Sequence, residues 1–330
     1  MHGDPAACLT LRFMGATVEE FSPTDAAALG SRVAMNIAGA IKVGDSVLRE
    51  VLVALLAEGH VLIEDRPGVG KTAMARALAR SIDAEYARIQ CTSDLLPAEV
   101  VGTNVFNQLD GRFEFRPGPV FAHLVLVDEI NRASPRTQSG LLECMQEGQV
   151  TVDGESRQLA RPFMVLATQN PIEYEGTYPL PEAQLDRFMV RVSLGYPSPG
   201  QEAEMLSVHA AGDHVRDLEP VTSVAQIRLA QQAASAVHAS APLRDYVVAL
   251  VAHTREDPRV ALGASPRAGL MLLQAAKANA ALEGRDHVLP DDVKAMAQAV
   301  LAHRLMPEPG AVGMTRERIV GDTIAAVGAL

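Results

Sequence analysis

The chain has 330 residues, 48% of them hydrophobic, which is enough for one large and one small domain around a sizeable core. Its formal net charge of −11 argues against broad electrostatic binding to nucleic acid or an anionic membrane. Cys8, Cys91 and Cys144 are too scattered for a disulfide framework or a metal cluster and indicate a reducing compartment. No apolar run reaches the ~18 residues of a membrane span, and no signal-peptide pattern opens the chain, so we expect a cytoplasmic protein.

Residues 1–22 have the composition of a flexible leader, and the pattern that follows predicts two helices. The first would begin at a Thr24-Asp25 cap and run toward Ile41. The second would open at Asp45 after a turn at Val43-Gly44.

Residues 61–72, VLIEDRPGVGKT, combine a short apolar strand, a loop rich in Gly and Pro, and the start of a helix. In this arrangement backbone N–H groups and the helix dipole favour a bound phosphate. Gly68 and Gly70 let the backbone approach the phosphate closely, and Lys71 would reach the β- and γ-phosphates. The Thr72 hydroxyl would hold Mg²⁺. The sequence therefore predicts a P-loop, although a surface turn that happens to contain GKT is the alternative.

One position departs from the general P-loop pattern, because Asp65 stands where a glycine is usual. Asp tolerates turn geometry better than most residues, so the predicted loop is retained. Just upstream, the turn at Val43-Gly44 is equally well interpreted as one wall of an adenine pocket or as ordinary packing.

Two Asp-Gly pairs, each between alternating runs, predict β-hairpins. The first hairpin would span residues 103–116 and the second residues 149–159. Both interrupt an alternation of strands and helices, and insertions of this kind often carry function-specific contacts.

Polar residues follow two apolar runs that predict buried parallel strands. Asp128 and Glu129 end the run from residue 124, where Asp128 would hold Mg²⁺ through water and Glu129 would orient or deprotonate the attacking water. The alternative is a capping Asp-Glu pair before the next helix. Asn170 follows the strand at 163–168 and would orient the same water, although taken alone it is better explained as a turn residue before Pro171.

Two arginines are candidates for contacts with phosphate. Arg187 lies in an LDRF segment and would reach the γ-phosphate of a neighbouring subunit, unless it only forms a surface ion pair with Asp186 or Glu182. Arg132 and Arg136 are rival candidates for that role. Arg267 follows a Ser-Pro pair that predicts the start of a helix. A cation in the first helical turn is unfavourable because it opposes the helix dipole, and a contact between Arg267 and a phosphate would explain its presence there. A solvated arginine at a helix start is the alternative.

A Pro/Gly cluster near residue 197 predicts the boundary between a nucleotide-binding domain, 23–197, and a second domain, 198–330. In the second domain we find helical periodicity and no convincing strand. The predicted helices lie near residues 201–209, 223–239, 243–256, 265–284, 290–304 and 314–328.

Taken together, these segments resemble an AAA+ ATPase of the MoxR family over roughly residues 25–330. The resemblance is carried by EDRPGVGKT (64–72), LVLVDEINRASPRTQSGLLECMQEGQVT (124–151), MVLATQNPIEYEGTYPLPEAQLDRF (164–188) and GASPRA (263–268). It implies an α/β P-loop NTPase fold, with an αβα core, a parallel sheet and β-hairpin inserts, followed by an all-α lid domain.

The resemblance also implies a role for each matching residue. The nucleotide-binding set would comprise Val43, Gly44, Pro67, Gly68, Val69, Gly70, Lys71, Thr72 and Ala73. Asp128 and Glu129 match Walker B, with Asp128 and Thr72 as the metal-binding pair. Asn170 corresponds to sensor 1, Arg187 to the arginine finger and Arg267 to sensor 2. Whether Arg267 acts in its own subunit or in a neighbour's is left open.

At the level of the whole protein, the resemblance implies a homo-oligomeric ring, expected to be a hexamer, with ATP and Mg²⁺ between subunits. The ring would remodel partner proteins or help to insert metals or cofactors into them. A partner with a von Willebrand factor A domain would be a separate chain, because this sequence has no DxSxS motif. The alternatives are a nucleotide-gated scaffold with little hydrolysis, and the ATPase subunit of a chelatase. A DNA motor is disfavoured by the acidic charge.

Overall fold

In a computed structural model of the chain, residues 21–170, 176–196, 199–200, 214–310 and 313–328 are described. A five-stranded parallel sheet forms its centre, with the strand order β2-β5-β8-β1-β9. These strands are β1 (Val61–Glu64), β2 (Tyr86–Gln90), β5 (Leu124–Asp128), β8 (Met164–Gln169) and β9 (Val190–Val192).

The three middle strands, β5, β8 and β1, are buried along almost their whole length, because helices cover both faces of the sheet. Their alternating side chains enter two separate apolar clusters, one on each face. Since the strands are parallel, their carboxyl ends meet at one edge, where ligands bind in open α/β sheets.

Three helices of the N-terminal part cover one face of the sheet: α1 (Pro23–Ala40), α2 (Asp45–Leu56) and α3 (Lys71–Ser81). The predicted cap of α1 at Thr24-Asp25 is wrong by two residues. Ser22 caps the helix, because its hydroxyl accepts from the Asp25 backbone N–H while the Asp25 carboxylate accepts from the Ser22 N–H.

Both predicted hairpins are present. The first consists of β3 (Gly102–Asn107) and β4 (Arg112–Pro117), and the second of β6 (Gln149–Val152) and β7 (Glu155–Gln158). They lie side by side, since Asn104 Nδ2 donates to Asp153 Oδ2 (2.6 Å) and the Arg157 guanidinium lies 4.0 Å from the Phe115 ring centroid. Helices α4 (Pro97–Val101) and α5 (Pro135–Glu147) contact the hairpins, and the four-residue helix α6 (Glu182–Leu185) precedes β9.

The C-terminal region is helical, as predicted, with one exception. Its helices are α7 (Val224–Ala236), α8 (Ala241–Glu256), α9 (Pro266–Leu282), α10 (Pro290–Leu301) and α11 (Arg316–Ala326). The exception is an antiparallel ribbon of β10 (Val260–Leu262) and β11 (Met306–Pro307), where we predicted no strand. The predicted helix at 201–209, the boundary at 197 and the leader up to residue 20 lie outside the described residues.

The helical region packs closely on α1 and α2. A Cβ built on Gly30 of α1 would lie 2.3 Å from Leu282 Cδ2 of α9, so any larger residue there would require the Leu282 side chain to move. Gln231 Nε2 of α7 donates to the Leu55 carbonyl of α2 (2.8 Å). In the described part of the chain, every helix is too short or too polar to traverse a bilayer.

Candidate functional site

The loop between β1 and α3 forms an open cradle at the carboxyl edge of the sheet. Gly68 and Gly70 have φ of +85° and +93°, and a Cβ on either would have no heavy atom within 4 Å. The cradle therefore needs glycine for its backbone conformation rather than for space. It borders a cavity of about 440 Å³ lined by Pro67, Gly68, Gly70, Lys71, Thr72, Ala73, Arg76, Asp128, Glu129, Asn170 and Val215.

Three residues predicted for nucleotide binding are not among the described residues that line this cavity: Val43, Gly44 and Val69. Val43 packs against the apolar core, and Gly44 caps α2. For the turn at Val43-Gly44, this placement agrees with the alternative of ordinary packing. Val215, which was not predicted, brings the start of the helical region to the cavity instead.

Asp65, the residue at the usual glycine position, is buried and bonded on both its backbone and its side chain. Its carbonyl accepts from Lys71 Nζ (2.7 Å). Its carboxylate accepts from Ser193 Oγ (2.9 Å) and from the Leu194 backbone N–H (2.5 Å). Asp65 thus joins the loop to the segment that follows β9.

Asp128 and Glu129 lie at the end of β5, beside the end of β8. The Thr168 hydroxyl donates to Asp128 Oδ1 (2.7 Å) and accepts from the Glu129 backbone N–H (2.9 Å), so one buried side chain positions both acidic residues. Arg88 of β2 donates to Asp128 Oδ2 at 2.6 Å. Glu129 adopts a left-handed conformation with φ 56°, which is uncommon for a residue with a side chain and is concentrated at functional sites.

The Glu129 carboxylate is held by two donors, since its Oε2 atom accepts from Gln90 Nε2 (3.2 Å) and from Arg132 NH1 (3.1 Å). Arg132, a rival candidate for a trans contact, is therefore engaged within its own chain. Sequence reasoning missed Arg88 and Gln90, which lie in β2, and Thr168, which lies in β8. Their roles depend on the strand order, which no local pattern specifies.

The negative charge of this site acts on a neighbouring thiol. Burial, together with the charges of Asp128 and Glu129, raises the pKa of Cys91 to about 12. Cys91 therefore remains a neutral thiol and contributes no nucleophile to the site.

Arg187 and Arg267 lie away from the cavity, in another part of the molecule. Arg187 NH1 donates to the Leu142 carbonyl (2.5 Å), and its Nε atom is buried without a hydrogen-bond partner among the described residues. The Arg267 side chain makes no hydrogen bond or ion pair with any residue that the structure describes. Ser265, two residues before Arg267, donates to both carboxylate oxygens of Asp186 (3.0 and 3.1 Å), which precedes Arg187, so the two arginines belong to one region.

Asp186, one of the two partners that the alternative interpretation gives to Arg187, binds another arginine instead. Arg304 Nε donates to Asp186 Oδ1 (2.8 Å), and Arg304 NH2 donates to the Phe188 carbonyl (2.6 Å). Because Arg304 is buried, this ion pair fixes the end of α6 to the helical region. Sequence reasoning did not single out Arg304.

The residues around the cavity fit a nucleoside triphosphate with Mg²⁺. The eleven-residue helix α3 directs its N-terminus at the cradle, and Lys71 supplies a cation there. Thr72 and Asp128, the predicted metal-binding pair, both line the cavity, and the described residues contain no group of three or more His, Cys, Asp or Glu side chains that could hold a metal. That arrangement is typical of Mg²⁺ bound through one or two protein groups, water and substrate phosphates.

Comparisons with known proteins agree with this geometry. Residues 60–190 match the family model of ATPases associated with various cellular activities (AAA), and residues 252–323 match the AAA lid domain. A crystal structure of a protein from Cytophaga hutchinsonii, provisionally described as an ATPase, superposes with a TM-score of 0.87 at 35% identity, covering 93% of this chain and 97% of the other. The chain is thus an AAA-type ATPase domain with its lid, a class that binds nucleotide.

Curated relatives narrow this class. The chain is 42% identical to the chaperone MoxR1 of Mycobacterium tuberculosis, over 79% of this chain and 71% of the relative. It is 32% identical to the protein MoxR of Methylorubrum extorquens, over 92% and 95%, and 51% identical to the uncharacterised protein YeaC of Bacillus subtilis, over 84% and 87%. The chain therefore belongs to the MoxR family of AAA+ ATPases.

Proposed function

We propose that this protein hydrolyses ATP with Mg²⁺ at sites shared between the subunits of a homo-oligomeric ring. The observation that supports the proposal is that the predicted site residues fall into two separate groups within one chain. Lys71, Thr72, Asp128, Glu129 and Asn170 border one cavity, whereas Arg187 and Arg267 lie elsewhere in the same chain.

The residues of the cavity divide the chemistry among them. The loop and Lys71 would hold the β- and γ-phosphates, and Thr72 with Asp128 would hold Mg²⁺, which neutralises charge on the phosphates. Glu129 would accept a proton from the attacking water or orient it, and the Asn170 amide would fix that water without adding charge. Gln90 and Arg132 hold the Glu129 carboxylate at a defined place beside the cavity.

Arg187 and Arg267 are the two predicted cations that would act on ATP bound by the neighbouring subunit. The hydrogen bonds of Asp186 with Ser265 and Arg304 hold the segments of Arg187 and Arg267 together. In a ring, this region would face the cavity of the next subunit, so both arginines would stabilise transition-state charge there in trans. A cis role for Arg267 has no support from the lining of its own cavity.

The work done by hydrolysis is proposed by analogy with the relatives, one of which is named a chaperone. We propose chaperone-like remodelling or maturation of partner proteins, including insertion of metals or cofactors. A hexameric ring, a cytoplasmic location and a separate partner with a von Willebrand factor A domain are parts of the same proposal.

ATP turnover against protein concentration tests the shared site. We expect specific activity of the wild type to rise with concentration, because an isolated subunit lacks the trans arginines. Arg187→Ala should lower kcat by about 10³-fold, in line with the 10³–10⁵ contribution of an arginine finger, while ATP binding is retained. Arg228→Ala, an exposed arginine of α7, is the matched control and should behave like the wild type.

The alternatives predict different outcomes. Turnover that is independent of both concentration and Arg187 would contradict a shared site, and loss of activity in Arg136→Ala would assign the finger to its rival. Negligible turnover at every concentration, with or without a partner, would favour the nucleotide-gated scaffold. Metal insertion with a separate catalytic subunit would identify a chelatase-type ATPase.

A further inference from the structure

Asp65 is the one departure from the general P-loop pattern that the proposed function leaves unexplained. A glycine at this position would offer no side-chain acceptor, whereas the Asp65 carboxylate accepts two hydrogen bonds from the segment after β9. Asp65 is only 8% exposed, so without the carboxylate the Leu194 N–H and Ser193 hydroxyl would lose partly buried bonds to a charged group.

The backbone of Asp65 makes the second connection. Its carbonyl accepts from Lys71 Nζ, the cation that would bind the phosphates of ATP. One residue therefore contacts the phosphate-binding lysine through its main chain and the exit of β9 through its side chain. From that exit the chain continues to Val215, which lines the same cavity, and then to the helical lid.

The preceding residue, Glu64, reinforces the connection. Its carboxylate accepts from Arg191 NH1 of β9 (2.8 Å) and from Gln169 Nε2 (2.6 Å), the residue before Asn170. Arg191 NH2 also donates to Glu317 of α11. The two acidic residues at the start of the loop thus contact β9, its exit and, through Arg191, the last described helix of the lid.

We propose that Asp65 is a positioning residue that couples the phosphate-binding loop to the lid through its hydrogen bonds with Ser193 and Leu194. The proposal rests on the proposed function, because the coupling acts on ATP bound at the loop. A change in the position of Lys71 and the loop on phosphate binding is transmitted by the Asp65 carboxylate to the chain entering the lid.

Asp65→Ala, Asp65→Asn and Ser193→Ala test the coupling in the full-length protein. The measurements are the Kd for a non-hydrolysable ATP analogue with Mg²⁺, kcat, and amide hydrogen exchange at Leu194 with and without the analogue. We expect Asp65→Ala to lower kcat about tenfold while Kd changes less than about threefold, since the cavity-lining groups are kept. The analogue should change Leu194 exchange in the wild type and not in Asp65→Ala.

Two further variants separate coupling from a role in folding or loop shape. Asp65→Asn keeps one carbonyl oxygen as acceptor and should recover most of kcat and the analogue-dependent change in exchange. Ser193→Ala lies outside the loop, should fold even if Asp65→Ala does not, and should lower kcat about threefold at unchanged Kd.

Several results would overturn the proposal. If Asp65→Ala or Ser193→Ala had the same kcat and the same Leu194 exchange as the wild type, the hydrogen bonds of Asp65 with Ser193 and Leu194 would carry no coupling. A parallel loss of ATP affinity and kcat that Asp65→Asn does not reverse would show that Asp65 only shapes the loop. Failure of the proposed function is distinct, because wild type without turnover would still report the analogue-dependent change at Leu194.

Discussion

His60 shows how a single buried residue makes stability depend on pH. Its Nδ1 accepts from the Val165 N–H and its Nε2 lies 3.0 Å from the Met145 carbonyl, so the neutral ring is satisfied as the Nε2–H tautomer. Burial lowers the pKa of His60 to about 4, because its effect outweighs the Met145 hydrogen bond, which raises the pKa, and the nearby charge of Arg267 adds a smaller lowering. Folding therefore selects the neutral form.

The sign of the pH effect follows from this depressed pKa. Between about pH 6.5 and 4 the unfolded chain binds a proton that folded His60 does not, so the free energy of unfolding falls as pH decreases through this window. From pH 7 to pH 5 we expect His60 to contribute a loss of about 2 kcal/mol, measured by urea unfolding. His60→Leu should show a smaller loss over that range than the wild type.

The control for this prediction is His287→Gln, because His287 is exposed and its replacement should keep the wild-type slope. Burial also lowers the pKa of His303, but this residue is present in both variants. It therefore contributes in the same direction to the pH dependence of the free energy of unfolding of each. An equal fall in stability for His60→Leu and the wild type would contradict the assignment to His60.

At the scale of elements, Arg304 joins α6 and β9 to the end of the lid. It donates to the Asp186 carboxylate and to the carbonyls of Phe188, Met189 and Val300, and burial lowers its pKa to about 10, so that it remains charged at neutral pH. Removing one partner of a buried ion pair leaves the other uncompensated.

We therefore expect Arg304→Ala to lower the free energy of unfolding by about 3–5 kcal/mol, measured by chemical denaturation. Arg228→Ala, which removes an exposed arginine, should change it by less than about 0.5 kcal/mol. A small effect for Arg304→Ala would mean that Asp186 and the three carbonyls find other donors.

The elements predicted best from the sequence are those that depend on local chemistry. Asp153 and Gly154, with φ of 51° and 83°, form the hairpin turn that an Asp-Gly pair favours, and Gly68 and Gly70 of the predicted loop adopt left-handed φ, which glycine allows. The ribbon of β10 and β11 was missed because its strands of three and two residues pair across more than 40 positions. Strands this short carry no periodicity, and their pairing is a tertiary event.

In the candidate site, too, the residues identified from the sequence are those defined by local spacing, and the residues missed depend on tertiary structure. The acidic pair and the loop residues Gly68, Gly70, Lys71 and Thr72 were identified because their spacing is local, and the structure brings them to one cavity. Arg88, Gln90 and Thr168 were missed because their partners lie on neighbouring strands 39 or 40 residues away. For Val43, the sequence supported core packing and ligand binding equally well, and the tertiary structure places the residue against the core.

At the scale of the whole molecule, the lid and one face of the nucleotide-binding domain share a single apolar cluster. Leu29 of α1, Leu55 of α2 and Leu272 of α9 all belong to it and are nearly inaccessible to solvent. Arg49 Nε also donates to Asn279 Oδ1 (2.7 Å) across the same junction. Residues on both sides of the boundary predicted near residue 197 therefore contribute to the same apolar cluster.

This shared core predicts that the two regions unfold together. Leu272→Ala, a change in the lid, should lower the free energy of unfolding of the whole chain by about 2–5 kcal/mol, because it creates a cavity in the common cluster. Calorimetry should show one transition, displaced as a whole, and far-UV circular dichroism should report the same midpoint. Leu270→Ala, on the same helix but 65% exposed, should leave that transition nearly unchanged. Two transitions, of which Leu272→Ala displaces only one, would mean that the junction packs without coupling the stabilities of its two sides.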